Sequence, residues 1–140
     1  MQRESIHKYF LEIASVVSSR STCERKKVGC IIVKNKNILS TGYNGSPSGL
    51  PHCIDIGCEI VNGSCERTTH SEQNAICQAA KNGIQIEDSI LYTTLFPCYN
   101  CAKIIINSGI KKIYYKEDYH SQERSKKIFK EAHIFTKKIW

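Results

Sequence analysis

Two short stretches hold residues whose types and spacing can do chemistry. Phe96-Pro97-Cys98-Tyr99-Asn100-Cys101-Ala102 sets two thiols three apart directly after a proline, and Thr69-His70-Ser71-Glu72-Gln73-Asn74 sets an imidazole two residues before a carboxylate. In the first turn of a helix, residues i and i+3 point the same way, so Cys98 and Cys101 form a donor pair for one ion. His70, opening another helix, supplies a third donor. The positive ends of both helices favour negative charge there and lower cysteine pKa values. One imidazole and two thiolates leave the fourth tetrahedral position of a zinc ion open, which is the pattern of catalytic rather than structural zinc. Glu72 then stands near the ion without needing to bind it, suited to take a proton from an acidified water and deliver it to a substrate. Alone, H-x-E is an ordinary solvated helix start and C-x-x-C serves redox or metal chemistry equally. The information lies in the combination.

The other cysteines are the compositional anomaly. Eight occur in 140 residues: Cys23, Cys30, Cys53, Cys58, Cys65, Cys77, Cys98 and Cys101. The opening MQRESIHKYF has no charged start followed by an apolar block, and no apolar run reaches the roughly 18–20 residues of a membrane span, so a cytoplasmic protein is expected. In a reducing compartment, clustered cysteines bind metal rather than pair as disulfides. The net charge of +7 and the doublets Lys111-Lys112, Lys126-Lys127 and Lys137-Lys138 attract phosphate. No basic stripe is interleaved with aromatics, which argues against nucleic acid as the main partner. A solvated basic surface is the plainest reading, and a small phosphorylated substrate fits as well.

The elements that must position these residues follow from periodicity. The chain has the size of one domain, residues 1–140. Ile6, Tyr9, Phe10, Ile13, Val16 and Val17 recur at helical spacing and predict a helix over about 5–20. Residues 29–33 and 38–43 read as a hairpin around Lys34-Asn-Lys-Asn37, and 44–69, with glycines, prolines and three cysteines, reads as a loop. Helices are expected over about 71–81, from 98 to near Gly109, and over 122–131, with strands at 89–94, 112–115 and a short last one at 133–136. This order predicts a three-layer α/β/α domain around one mixed five-stranded sheet, its first two strands antiparallel and its later ones parallel through crossovers. Cys30, in an apolar strand, and Cys77, beside Ala75 and Ile76, read as core residues.

An H-x-E followed by P-C-x-x-C is the signature of zinc nucleobase deaminases, whose glutamate is an acid/base and not a ligand. With Cys23-Glu-Arg-Lys-Lys-Val-Gly29, Gly42-Tyr-Asn-Gly-Ser-Pro47 and Tyr114-Tyr-Lys-Glu-Asp-Tyr119, residues 5–136 resemble the deoxycytidylate (dCMP) deaminases of the zinc-dependent cytidine deaminase superfamily. The resemblance implies hydrolysis of dCMP to dUMP and ammonia, feeding thymidylate synthesis. It implies zinc on His70, Cys98 and Cys101, attack at C4 of cytosine, and Glu72 protonating N3 and then the departing amine. Asn44 resembles the asparagine that holds the sugar hydroxyl, and Tyr119 a tyrosine near the substrate phosphate. Family members can carry a lysine two residues after that tyrosine; this chain has Ser121 there, with His120 as a substitute.

Some family members carry a second, closed zinc site using cysteines that match Cys23 and Cys53. Cys58 and Cys65 would complete it, with His52 competing for one position. The family further implies a homo-oligomer, a hexamer or smaller, and control by dCTP and dTTP, to which Arg25, Lys26 and the backbone from Gly42 to Gly45 would contribute. Competing readings are a deaminase of another nucleotide or of a base within nucleic acid, and a non-catalytic zinc module. Glu72 argues against the last, since a structural site needs no free carboxylate.

Overall fold

A computed structural model describes residues 1–140. Its elements in chain order are α1 (Ile6–Ser18), β1 (Gly29–Lys34), β2 (Asn37–Tyr43), α2 (Cys53–Ile56), β3 (Ile60–Val61), β4 (Ser64–Cys65), α3 (Ser71–Lys81), β5 (Ile90–Leu95), α4 (Tyr99–Ser108), β6 (Lys112–Glu117), α5 (Glu123–Glu131) and β7 (Phe135–Lys138). The Ser5 hydroxyl caps α1 by accepting the Lys8 N–H at 3.1 Å. Asn35 and Lys36, at φ 51° and 64°, turn β1 into β2; positive φ at both central residues matches the twist of a tight hairpin.

The five long strands form one mixed sheet in the order β2-β1-β5-β6-β7. β1 pairs antiparallel with both β2 and β5, while β5–β6 and β6–β7 are parallel. The central strand β1, Gly-Cys-Ile-Ile-Val-Lys, is apolar on both faces because both are covered. Cys30 and Ile32 of β1, Leu91 of β5, and Ile113 and Tyr115 of β6 pack with Ala75, Ile105 and Phe129 of α3, α4 and α5. The alternate residues Ile31, Val33, Tyr92 and Tyr114 pack with Phe10 and Leu11 of α1. The period-2 alternation of the strands thus separates a three-helix layer from a one-helix layer, giving the expected α/β/α architecture. No helix is long and apolar enough to cross a membrane.

Three expectations need correction. Residues 44–69 are not plain loop: they contain α2 and the two-residue strands β3 and β4, too short to show a hydrophobic period. The last strand starts at Phe135, because His133 at φ 59° still belongs to the turn that ends α5. Cys77 is exposed rather than core, since Ala75 and Ala79 take the buried side of α3 and a residue two past Ala75 points away from it.

Two close approaches fix the layers. A Cβ at Gly29 would run into the α1 backbone at Ala14 and Ser18, and one at Gly42 into the α3 backbone at Ser71 and Ala75. Ser40, two residues before Gly42, donates its hydroxyl to the Ala75 carbonyl at 2.6 Å, adding a polar tie to the same contact. Gly42→Ala is therefore expected to destabilise the fold by about 1–3 kcal/mol, the usual range for overpacking, and thermal melts followed by circular dichroism should show a lowered Tm.

Candidate active site and metal centres

The starts of α3 and α4 build the site. His70 is the N-cap of α3 and Cys98 the N-cap of α4, both in extended backbone (φ −72°, ψ 155° and φ −70°, ψ 170°). That conformation lets an N-cap side chain lean off the helix end. Gln73 Oε1 accepts the His70 N–H at 2.9 Å, while Cys98 makes no side-chain cap and its thiol is free to face His70. Cys98 follows β5 by three residues, and the buried Phe96 pins that link by edge-on packing against Tyr115 (4.8 Å between centroids) and Phe129 (5.8 Å).

His70 Nδ1 lies 3.4 Å from Cys98 Sγ and 3.3 Å from Cys101 Sγ, and all three donors fall within 4.8 Å of one another. The Cys101 hydrogen bond, with His70 beside it, brings Cys98 down to about 4. The Cys98 sulfur in turn pushes Cys101 well up and raises His70. Two sulfurs and one imidazole, partnered mainly with each other, suit zinc.

Glu72 lies outside this donor set and is 4% exposed. Burial raises its pKa, opposed by the hydrogen bond its Oε1 accepts from the Ser71 hydroxyl. It lines a cavity of about 210 Å³ together with His70, Cys98, Asn44 and Tyr119. Leu95, Phe96 and Val28 give the same cavity an apolar wall. Asn44 is already committed at both ends of its amide, accepting the Ser71 N–H at 2.8 Å and donating to the Lys26 carbonyl at 3.3 Å. One Nδ2 hydrogen and one Oδ1 lone pair remain. Tyr119 donates its N–H to Gln122 at 2.8 Å and carries Lys26 Nζ 4.7 Å above its ring.

The residues grouped by sequence for effector binding do not stay together. Arg25 and Lys26 line the cavity of Glu72, whereas Gly42 and Gly45 line a separate one of about 510 Å³. Cys23, Cys53, Cys58 and Cys65 converge within 4.8 Å, with Sγ–Sγ separations of 3.8 Å for Cys23–Cys58 and 3.6 Å for Cys53–Cys65. His52 is not in that group and lines the second cavity, its Nδ1 buried without a partner. Sequence reasoning missed Ser71, Thr68 and Phe96. Ser71 could have been found as the first-turn residue between His70 and Glu72; Thr68, 3.4 Å from the sulfurs of Cys53 and Cys65, carries no local signal.

These features define a zinc-binding deaminase, and the comparisons agree. The profile of the cytidine and deoxycytidylate deaminase zinc-binding region matches residues 4–117, and the chain belongs to that family. It is 40% identical over 139 residues to ComE operon protein 2 of Bacillus subtilis, covering 99% of this chain and 74% of that protein. It is 34% identical over 140 residues to deoxycytidylate deaminase of Saccharomyces cerevisiae, covering 96% of this chain but only 45% of that protein. Among solved structures, the dCMP deaminase of cyanophage S-TIM5 in complex with dCMP and dUMP superposes with a TM-score of 0.87 at 34% identity, covering 99% of this chain and 100% of that one.

Asn44→Ala should strand the buried Ser71 N–H and release the Lys26 carbonyl. The expected cost is about 1–3 kcal/mol, read as a lower midpoint in urea with an unchanged slope.

Proposed function

We propose that this chain deaminates dCMP, converting dCMP and water to dUMP and ammonia, and so supplies dUMP for thymidylate synthesis. The observation that carries this reading is Glu72: a buried carboxylate in a cavity beside a three-donor metal group to which it does not belong. His70, Cys98 and Cys101 would hold a zinc ion, which would supply an acidified water beside Glu72. Glu72 then has two tasks in one place. It accepts a proton from the nucleophile as base, and it returns protons as acid, first to N3 of the cytosine and then to the amine that leaves as ammonia. Its raised pKa suits a group that must both take and give a proton near neutrality. Leu95, Phe96 and Val28 offer the base an apolar wall that excludes bulk water. Asn44, held rigid at both ends, keeps one donor and one acceptor for the sugar hydroxyl. The relatives named deoxycytidylate deaminase and the likeness to the phage structure bound to dCMP and dUMP support the choice of substrate.

The four thiols of Cys23, Cys53, Cys58 and Cys65 make a closed all-sulfur set, the donor pattern of structural zinc, and we place a second zinc there. It would hold the β3–β4 hairpin, whose own Ile60 and Val61 are exposed and supply no core. A homo-oligomer of up to six chains, cytoplasmic location and control by dCTP and dTTP belong to the same reading. The second cavity, apart from Glu72, is the place it offers an effector.

Glu72→Ala should keep its metal and fold while dUMP formation falls by at least roughly 10²–10⁴-fold, the usual contribution of one acid/base; near-normal turnover would rule this mechanism out. Metal analysis of protein purified without chelator should find two zinc ions per chain. Cys98→Ser should lose one, together with activity, and melt only slightly lower. Cys58→Ser should lose the other and melt markedly lower. A parent with a single zinc would refute the second site.

A further inference from the structure

Between His70 and Glu72 stands Ser71, a fully buried residue whose hydroxyl the chemistry above does not use. Its backbone is fixed on both sides. The N–H is one of the first-turn donors that a helix cannot satisfy itself, and it goes to Asn44 Oδ1 at 2.8 Å. The carbonyl lies so close to Gly42 that a Cβ there would run into it. Asn44 is held in turn by its bond to the Lys26 carbonyl at 3.3 Å. The hydroxyl therefore rides on a backbone with little freedom, and it donates to Oε1 of Glu72. The buried Cys30 of β1 lies against the same hydroxyl from the sheet side.

The carboxylate has few other anchors. No lysine or arginine pairs with it: the ion pairs of the structure are Lys8–Glu4, Arg67–Glu59 and Lys138–Asp118. Its other side-chain partner is the Cys101 thiol, and as a metal-bound thiolate Cys101 would have no hydrogen left to donate. Ser71 then holds the one side-chain donor that stays on Glu72 whatever the metal position contains. We infer that Ser71 is a positioning residue for proton transfer: its hydroxyl fixes Oε1 of Glu72 and leaves Oε2 as the oxygen that takes and returns protons. The inference rests on the dCMP reading above. An acid/base must stay within hydrogen-bond reach of the proton it moves, and Glu72 reaches the cavity through a side chain with three rotatable bonds. A buried carboxylate without a donor turns toward positive charge, which here means the metal position. There it would compete for the open fourth place instead of serving the water beside it.

The test compares kcat and KM for dCMP in the parent, Ser71→Ala, Glu72→Ala and the double variant, each checked for zinc content and Tm. Ser71→Ala removes only the hydroxyl, and alanine is a good helix residue. Its kcat should fall roughly 10- to 100-fold, the scale of one lost hydrogen bond to a charged group, with KM, zinc content and Tm nearly unchanged. In the Glu72→Ala background the same substitution should cost nothing further, because a residue that acts through Glu72 has nothing left to position. The inference is overturned if Ser71→Ala keeps the parent kcat, if its loss lies in KM, if it loses zinc or fold, or if the two losses multiply in the double variant. A parent that releases no ammonia from dCMP overturns the dCMP reading and the inference with it. A parent active on dCMP whose Ser71→Ala variant is equally active spares that reading and overturns the inference alone.

Discussion

Two helix N-termini must meet at one point, and the site depends on that meeting. An N-cap residue normally spends its side chain on the first turn of its own helix. In α4 that position is held by Cys98, which makes no such cap, and in α3 it is held by His70, whose ring faces the two sulfurs instead. The α4 start gives up its side-chain cap while α3 keeps the Gln73 contact to the His70 N–H, the extended N-cap backbones aim donors outward, and the helix dipoles favour negative charge there. Glu72 follows from the same geometry. Once His70 is at the cap, Glu72 falls in the first turn and is buried against the sheet, near the donors yet outside their group.

The meeting point is held by contacts far from the chemistry. α3 can approach β2 because Gly42 has no side chain, and Ser40 and Asn44 fasten the same strand and its exit to Ala75 and Ser71. α4 is set by β5 through the buried Phe96, whose N–H also donates to the Glu117 carbonyl at the end of β6 at 2.9 Å. Gly42 and Asn44 lie in one short motif, and both have structural duties in the positioning of His70 besides any contact with a ligand.

How much of this was legible in the sequence follows from how local each signal is. His70, Glu72, Cys98 and Cys101 could be read because each pair sits within one helix turn, where spacing dictates direction. The long helices and strands showed their periods, and strand order implied the layers. The antiparallel pairing of β1 with β5 had no local signature, since it joins segments about sixty residues apart. The β3–β4 hairpin was invisible because two-residue strands have no period, and its place is set by thiols from Cys23 to Cys65. Cys77 was misread from its apolar neighbours, although the Ala75–Ala79 repeat already marked the buried side of α3. Lys26 appeared as part of a charged turn, and nothing in its own stretch shows that Tyr119 lies beneath it.

The cavity arranges charge by depth. Glu72, His70 and Cys98 stand where solvent is scarce, and Arg25, Lys26 and His120 stand exposed on the same lining. Burying a dianion is costly even when it is paired, whereas a neutral pyrimidine loses little by leaving water. A molecule with an uncharged base at one end and a phosphate at the other can therefore enter base first. It keeps its charge near water, and it gives the low-dielectric end the one group on which proton transfer has to occur. Low dielectric also strengthens each interaction Glu72 makes. The burial that keeps bulk water from the base end is thus the same burial that raises the pKa of the Glu72 carboxylate.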